Sequence, residues 1–344
     1  MATRRGVPST SATLTDVARL AGVSIATASR ALNGSQRSVS ADSADRVRAA
    51  AERLGYLPNE SAQSMVRGRT NNIGLIVRDI AEPYFAGIAS GLIDELESTG
   101  MHVSIAVTSD DLAREIEQVR MFRRQRAAAV VLVGSRRTDE PHAAALMEEL
   151  RHIETAGGRV VMLSHHQFPF RSVLIGNREG SQELASALLE VGYTEFTIVG
   201  GPSTYVTAKD RVQGFRDGLA ERAAVVDDVR TVESGFGWQG GFDVAEQVLE
   251  LGRGPRRVVF AVNDLVALGL LARWRELGVA VPSDIALAGF DDIPTLRDVR
   301  PWLTSVEVPL MLAGRSAARL AAAVTDGNVT VSTVVKMRES TPAR

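Results

Sequence analysis

The order of apolar and polar residues divides the chain into two styles of patterning. In the first seventy residues the apolar positions recur at helical spacing. Leu14, Val17, Ala18 and Ala21 follow i, i+3, i+4, i+7, one face of a helix. Gly22 then predicts a left-handed cap at its end. Ser24 predicts the N-cap of a second helix from Ile25 to Leu32, which Asn33-Gly34-Ser35 stops. Ser40 predicts the start of a third, with Val47, Ala50, Ala51 and Leu54 on one face and Gly55 at its end. Two short helices joined by the tight Ala21-Gly22-Val23 turn make a helix-turn-helix. In that motif the second helix enters a major groove with its N-terminal residues at base edges.

From Asn72 the pattern changes to short apolar runs separated by amphipathic stretches. Ile73–Val77 reads as a strand, Phe85–Thr99 as a helix, His102–Val107 as a strand and Leu112–Arg126 as a helix. Ala129–Val133, Arg159–Leu163 and Ser172–Ile175 continue the strands. A second series follows with Glu195–Val199, Val229–Val232, Arg257–Ala261, Ile285–Ala288 and a final strand, Val331–Arg338. Such alternation implies parallel βαβ units with helices on both faces of the sheets. Ligands in these sheets sit beyond the carboxyl ends of the strands, so site residues are expected just after each strand.

A length of 344 residues fits two or three domains. The absence of cysteine excludes a disulfide framework, thiolate metal sites and a cysteine nucleophile. The longest apolar run, Ala127–Val133, is far short of the roughly 20 residues a membrane span needs. Arg4 and Arg5 have no apolar core behind them, so no signal peptide is expected. The net charge of -2 argues at face value against a polyanionic partner. The charge is segregated, however. Residues 1–70 carry ten arginines, no lysine and five acids, a net of +5, which leaves -7 on the rest. A basic N-terminal block is an electrostatic footprint for nucleic acid.

The stretch from Leu14 to Gly34, Leu-Thr-Asp-Val-Ala-Arg-Leu-Ala-Gly-Val-Ser-Ile-Ala-Thr-Ala-Ser-Arg-Ala-Leu-Asn-Gly, resembles the N-terminal signature of the LacI/GalR (lactose-repressor) family of bacterial transcription regulators. Arg46–Asn59 is similar to the block that follows in that family. The loop Gln36-Arg37-Ser38-Val39 is one residue longer than the family norm. The resemblance implies that Ile25, Ala26 and Arg30 occupy base-reading positions. Arg30 has the chemistry for a bidentate contact to guanine, and Ile25 and Ala26 for apolar contact with thymine methyls. Ser24, Thr27 and Ser29 are suited to phosphates, and Thr15 and Asn33 complete the expected DNA-facing set. Asn59–Arg67 matches the family's hinge helix, with Asn59, Ala62 and Gln63 near the minor groove. Met65 stands where the family carries a wedging leucine, and methionine is also able to unstack a base step.

The same resemblance implies a body like the periplasmic sugar-binding proteins. The fold expected is therefore an all-α helix-turn-helix headpiece plus an α/β two-lobed sensor with two doubly wound parallel sheets. Residues 1–58 form the headpiece, 59–71 the hinge helix and linker, and 72–344 the ligand-binding and dimerisation domain. Its first lobe takes about 72–176 and 309–328, its second about 177–308 and 329–344. Ala261–Gly269 and Ala288–Pro294 match family motifs at strand ends, and place Asn263 and Asp291 toward the cleft. An amide and a carboxylate suit vicinal hydroxyls. Arg211 falls at the family's ligand-contacting arginine, Phe85 and Phe236 at aromatic pocket positions, and Asp79 ends the first strand within reach. Asp264 and Asp292 read as N-caps instead. Ser164 replaces a common family aspartate, and Ile175-Gly176-Asn177 a Val-Asp-Asn, so no specific sugar carries over. His165-His166 lacks metal-ligand spacing with His102, His142 or His152.

Gly235-Phe-Gly-Trp-Gln-Gly240 matches the dinucleotide pattern G-x-G-x-x-G, which supports a rival reading as a nicotinamide enzyme. Bulky Phe236 and Trp238 stand where a pyrophosphate must approach. A transport binding protein is the other rival, and a helix-turn-helix has no role there. The expectation is a non-enzymatic, cytoplasmic, nucleoid-associated regulator without cofactor or metal. Its partners are pseudopalindromic operator DNA, a sugar, sugar phosphate or polyol effector, and a second copy of the chain. No heptad tail follows the last strand, so a dimer is expected rather than a tetramer.

Overall fold

The computed structural model describes residues 12–33, 39–57, 68–137, 143–164, 169–221 and 226–344. They form two compact units, one ending at Thr70 and one beginning at Asn71.

In the first unit, α1 (Leu14–Ala21), α2 (Ile25–Asn33) and α3 (Ala41–Leu54) follow the apolar spacing. Thr13 and Asp16 close a capping box at the start of α1, and Gly22 ends it at φ 64°. The Val23 amide reaches back to the Ala18 carbonyl, which fixes the turn between α1 and α2. The Ser24 hydroxyl accepts from the Thr27 amide at 3.1 Å and starts α2. Val17, Ala18, Ala21, Ala28, Val47, Ala50 and Ala51 make the core. With so many alanines the helices pack closely around a small apolar volume, and Leu54 lies at its rim.

In the second unit the first half runs β1 (Asn72–Val77), α4 (Pro83–Leu96), β2 (His102–Val107), α5 (Leu112–Arg124), β3 (Ala129–Val133), α6 (Ala143–Thr155), β4 (Arg159–Ser164) and β5 (Arg171–Ile175). The second half runs α7 (Asn177–Glu190), β6 (Glu195–Gly200), α8 (Val206–Ala220), β7 (Asp228–Glu233), α9 (Trp238–Glu250), β8 (Arg257–Ala261), α10 (Asp264–Glu276), β9 (Ala286–Asp291) and β10 (Thr304–Glu307). The chain then returns through α11 (Leu310–Ala321), β11 (Val329–Val331) and β12 (Val334–Lys336). Among the described residues the strands form two six-stranded sheets, ordered β11-β5-β4-β3-β1-β2 and β12-β10-β9-β8-β6-β7. All pairings are parallel except β10 with β12. The fold is thus a small helix-turn-helix unit and a two-lobed α/β body, as the sequence predicts. The central strands β1, β3 and β8 are apolar runs, apart from Asn72 and Arg257 at their starts, because both of their faces are covered.

The end of the chain differs from its expected course. Val331–Arg338 is not one strand of the second lobe. Val329–Val331 pairs with Val173–Ile175 in the first sheet, and Val334–Lys336 pairs with Ser305–Glu307 in the second. The third crossing between lobes therefore falls at 332–333 rather than at 328–329. Thr333 makes the turn by donating its hydroxyl to the Gly176 carbonyl, at the first crossing. The helix expected to reach Thr99 ends at Leu96 and tightens into a 3₁₀ turn over Glu97–Thr99.

Helices α4 and α11 cross at glycine. A Cβ on Gly91 would lie 2.1 Å from the Met311 carbonyl oxygen, and one on Gly314 2.1 Å from that of Ile88. Backbone meets backbone there, so no side-chain shift relieves the clash. Gly314→Ala should cost about 1–3 kcal/mol. Urea unfolding followed by circular dichroism measures it, and an unchanged midpoint would mean the crossing is loose.

Candidate functional site

In the first unit Ser24, Ile25 and Ala26 are exposed on the N-terminal turn of α2, while Ala28 faces the core. Ile25 is 50% exposed, so it does not serve the headpiece core. Thr15 is exposed, and Thr27, Ser29 and Arg30 are half-buried beside that turn. The side chain of Asn33 and all of Asn59, Ala62, Gln63 and Met65 lie outside the described residues.

In the second unit a cleft between the lobes collects residues from the carboxyl ends of both sheets. It encloses about 970 Å³ of non-atom space, its open mouth included. Phe85, Arg211, Phe236, Asn263 and Asp291 all line it.

Arg211 is 2% exposed and fully engaged. Its Nε donates to Asn177 Oδ1 at 2.8 Å, Nη1 to the Val262 carbonyl at 2.9 Å and Nη2 to Asp291 Oδ1 at 2.7 Å. Its guanidinium lies 3.8 Å from the centroid of the Phe290 ring. Burial pushes the Asp291 carboxyl up, and Arg211 pulls it back toward ionisation. Asp291 has φ 106° and Asp292 φ 51°, two consecutive non-glycine residues in left-handed space. Three contacts pin this turn. The Asp292 amide donates to Ser305 Oγ at 3.1 Å, the Ile293 amide to Asp264 Oδ2 at 2.9 Å, and Arg338 grips the Asp292 carboxylate at 2.6 and 2.8 Å.

These contacts correct the expected N-caps. Asn263, not Asp264, caps α10, accepting from the Val266 amide at 2.8 Å. Its amide group also donates to the Phe236 carbonyl at 2.8 Å and so holds the aromatic loop. Asp264 is fully buried and accepts from Ile293 and from Ser305 Oγ at 2.7 Å. Asp292 caps nothing and pairs with Arg338. Asp79 does not line the cleft, because its carboxylate turns back to the Ala81 amide at 2.9 Å. The preceding Arg78 lines it instead. Ser164 ends β4 opposite Leu174, and nothing of its side chain is described. His165 and His166 lie outside the described residues. Among the described residues no group of three or more His, Asp or Glu side chains is placed to hold a metal ion.

Several lining residues were missed by the sequence reading. Arg78 pairs with Glu82 at 2.6 Å, and Arg136 with Glu115 at 2.6 and 2.8 Å. Burial raises the Glu82 carboxyl against the pull of Arg78. Tyr205 of the second lobe bonds Asp110 of the first, and burial pushes its hydroxyl up to about 12. Beside it Val206 N donates to the Arg136 carbonyl at 3.0 Å and Thr207 N to Ser135 Oγ at 3.0 Å, so the lobes are latched at this edge. Gly235–Gly240 follows β7, an edge strand rather than the centre of a sheet. A Cβ on Gly240 would lie 2.4 Å from the Gly235 carbonyl, and the Phe236 ring fills the face of the loop against Gly201 and Tyr205. Phe236 thus stands in the loop where a pyrophosphate would approach.

A helix-turn-helix unit carried by a two-lobed α/β body with a polar, aromatic-lined cleft defines a class: ligand-responsive DNA-binding transcriptional regulators. Residues 13–59 match the model of bacterial regulatory proteins of the lacI family, and residues 185–342 that of a periplasmic binding protein-like domain. The chain is 33% identical to the HTH-type transcriptional regulator GalR of Escherichia coli (strain K12), over 92% of this chain and 90% of that protein. It is 32% identical to the regulator CelR of Thermobifida fusca, over 90% of each. Its fold matches a crystal structure of the lac repressor dimer bound to operator and an anti-inducer, with a TM-score of 0.81, 24% identity, and 96% of this chain and 99% of that one covered. It also matches a CelR–cellobiose complex with a TM-score of 0.67, 29% identity, and the same coverage. The chain belongs to the lacI family of bacterial regulatory proteins. Among the described residues no helix is long and apolar enough to cross a membrane.

Folded Asp264 holds its proton more tightly than an ordinary carboxyl, through burial and the nearby Asp291 charge. The stability this gives is present at low pH and is lost as pH rises through the raised folded value. The stability of wild type minus that of Asp264→Asn should therefore fall as pH rises above about 4, the ordinary carboxyl value. Urea unfolding of both proteins across that range measures it, and a difference that grows with pH would reverse the assignment.

Proposed function

We propose that this chain is a homodimeric repressor whose operator affinity is set by an uncharged, polyhydroxylated effector in the interlobe cleft. The observation that carries the effector class is the charge balance of the lining. Arg78, Arg136, Arg137 and Arg211 stand against Glu82, Asp110, Asp111, Glu115 and Asp291. Arg78, Arg136 and Arg211 are each neutralised by an acid of the same cleft. A phosphate needs cations in surplus, and this lining offers none. A free sugar or polyol needs paired donors and acceptors beside an aromatic face, which Asn263, Asp291, Phe85 and Phe236 supply. The relative bound to cellobiose supports a neutral sugar over a sugar phosphate.

At the DNA end, Arg30, Ile25 and Ala26 read bases, while Thr15, Ser24, Thr27, Ser29 and Asn33 meet the backbone. Asn59, Ala62, Gln63 and Met65 form the minor-groove hinge. The two copies read a pseudopalindrome whose symmetry mirrors the dimer. The protein works in the bacterial cytoplasm on the nucleoid and catalyses no reaction. The polar residues of the cleft are arranged to hold a ligand, and the relatives are regulators.

Arg30→Ala should cost about 1–3 kcal/mol at one operator position and leave other positions alone. Operators selected from random duplexes and titrated with both proteins measure this. Equal loss on every sequence would make Arg30 a phosphate contact. Asp291→Asn should keep operator affinity and lose the response to free sugars. Thermal-shift screening with free sugars and sugar phosphates, followed by operator titration, tests the effector class. Stabilisation by phosphorylated sugars alone would overturn it.

A further inference from the structure

Arg78 follows directly after β1, and its guanidinium is flanked by aromatic rings from both lobes. Its centre lies 5.6 Å from the Phe85 centroid and 5.8 Å from that of Phe236. Phe85 belongs to α4 of the first lobe, and Phe236 precedes α9 of the second. Nη2 is held by both oxygens of Glu82 at 2.6 Å. Nε is buried and has no hydrogen-bond partner. A buried donor left unmade costs more than a made bond returns, so an acceptor brought to it is favoured. Both groups line the cleft. The ion pair holds the fork in one orientation, so little order is lost when a further bond forms.

We propose that Arg78 is a specificity-determining residue of the effector site, donating from Nε to one oxygen of a neutral sugar ring that lies against Phe85 and Phe236. Glu82 orients the guanidinium and accepts from a neighbouring hydroxyl. Arg78 thereby selects for an oxygen at one ring position, while Asn263 and Asp291 serve the opposite edge from the second lobe. This inference rests on the neutral-effector reading above. It adds which residue discriminates among neutral sugars.

The test uses the full chain and its Arg78→Met and Arg78→Lys variants. Ribose, glucose, galactose and cellobiose are screened by thermal shift, and the sugar that stabilises wild type is titrated calorimetrically with its monodeoxy analogues. The expected result is that one deoxy analogue binds wild type at least tenfold more weakly than the parent sugar. In Arg78→Met that same deletion should cost less than threefold, because its donor is already gone. Arg78→Lys should behave like Met, because lysine has no Nε–H at that depth. A merely structural role would weaken every analogue by the same factor and leave the deoxy penalties unchanged, which would overturn the assignment. Failure of all four free sugars to stabilise wild type would instead sink the neutral-effector reading, and this inference with it.

Discussion

The buried Arg211–Asp291 pair is the constraint on which the sensing lobe depends. A guanidinium 2% exposed to solvent is tolerable because each of its three nitrogens donates a hydrogen bond. The acceptors come from three places: Asn177 at the first crossing between lobes, the Val262 carbonyl after β8, and Asp291 at the end of β9. One side chain therefore ties the ends of β8 and β9 in the second lobe to the first crossing between lobes. Removing either partner would leave the other charge buried and unpaired, a loss of about 3–5 kcal/mol. The left-handed conformation of Asp291 is a second cost. Asp264, Ser305 and Arg338 hold the turn from behind, so the strain sits on a braced support.

Which parts of this were legible in the sequence follows from how locally each is determined. The headpiece helices were legible because spacing and caps are short-range: Gly22, Ser24 and Ser40 act within four residues of themselves. The central strands were legible as apolar runs. Strand β10 was not, because Thr304 and Ser305 are fully buried polar residues in a strand with no apolar run. Their partners, Thr341 and Asp264, are distant in sequence. The same reason misplaced Asp264, which resembles a cap until Ser305 and Ile293 arrive from the next strands. Arg78 was missed for Asp79 because a one-residue step decides which side chain enters the cleft. An arginine directly after an apolar strand was the signal available.

The lobes meet through two kinds of contact, and these differ in what a ligand could change. The segment 205–207 latches onto 135–137 and Asp110 at one edge, through backbone and side-chain bonds. Across the cleft the contact is softer: Arg78 between Phe85 and Phe236, with no backbone bond in it. A stacked cation reorganises more cheaply than a backbone pairing. Adjustment on binding is therefore expected to begin at Arg78 and Phe236, with the latch limiting how far the lobes part.

Connectivity gives such an adjustment a short route along the chain. The second unit begins at Asn71, and β1 runs from Asn72 to Val77 and delivers Arg78 to the cleft. Six residues rising about 3.3 Å each span about 17 Å from end to end. The strand is hydrogen-bonded on both sides, to β2 and β3. Paired on both sides, it is expected to move with its lobe rather than bend. A ligand that draws Arg78 and Phe236 together is therefore expected to act on the first sheet, whose strand β1 is the first element after Asn71. The size of the effect on DNA affinity is bounded by the ligand's differential affinity for the two lobe arrangements, and DNA must return the same factor to the ligand. A residue that contacts the effector and also bridges the lobes contributes to both quantities. On the proposal above, specificity and response meet at Arg78, whereas Asn263 and Asp291 are braced within one lobe.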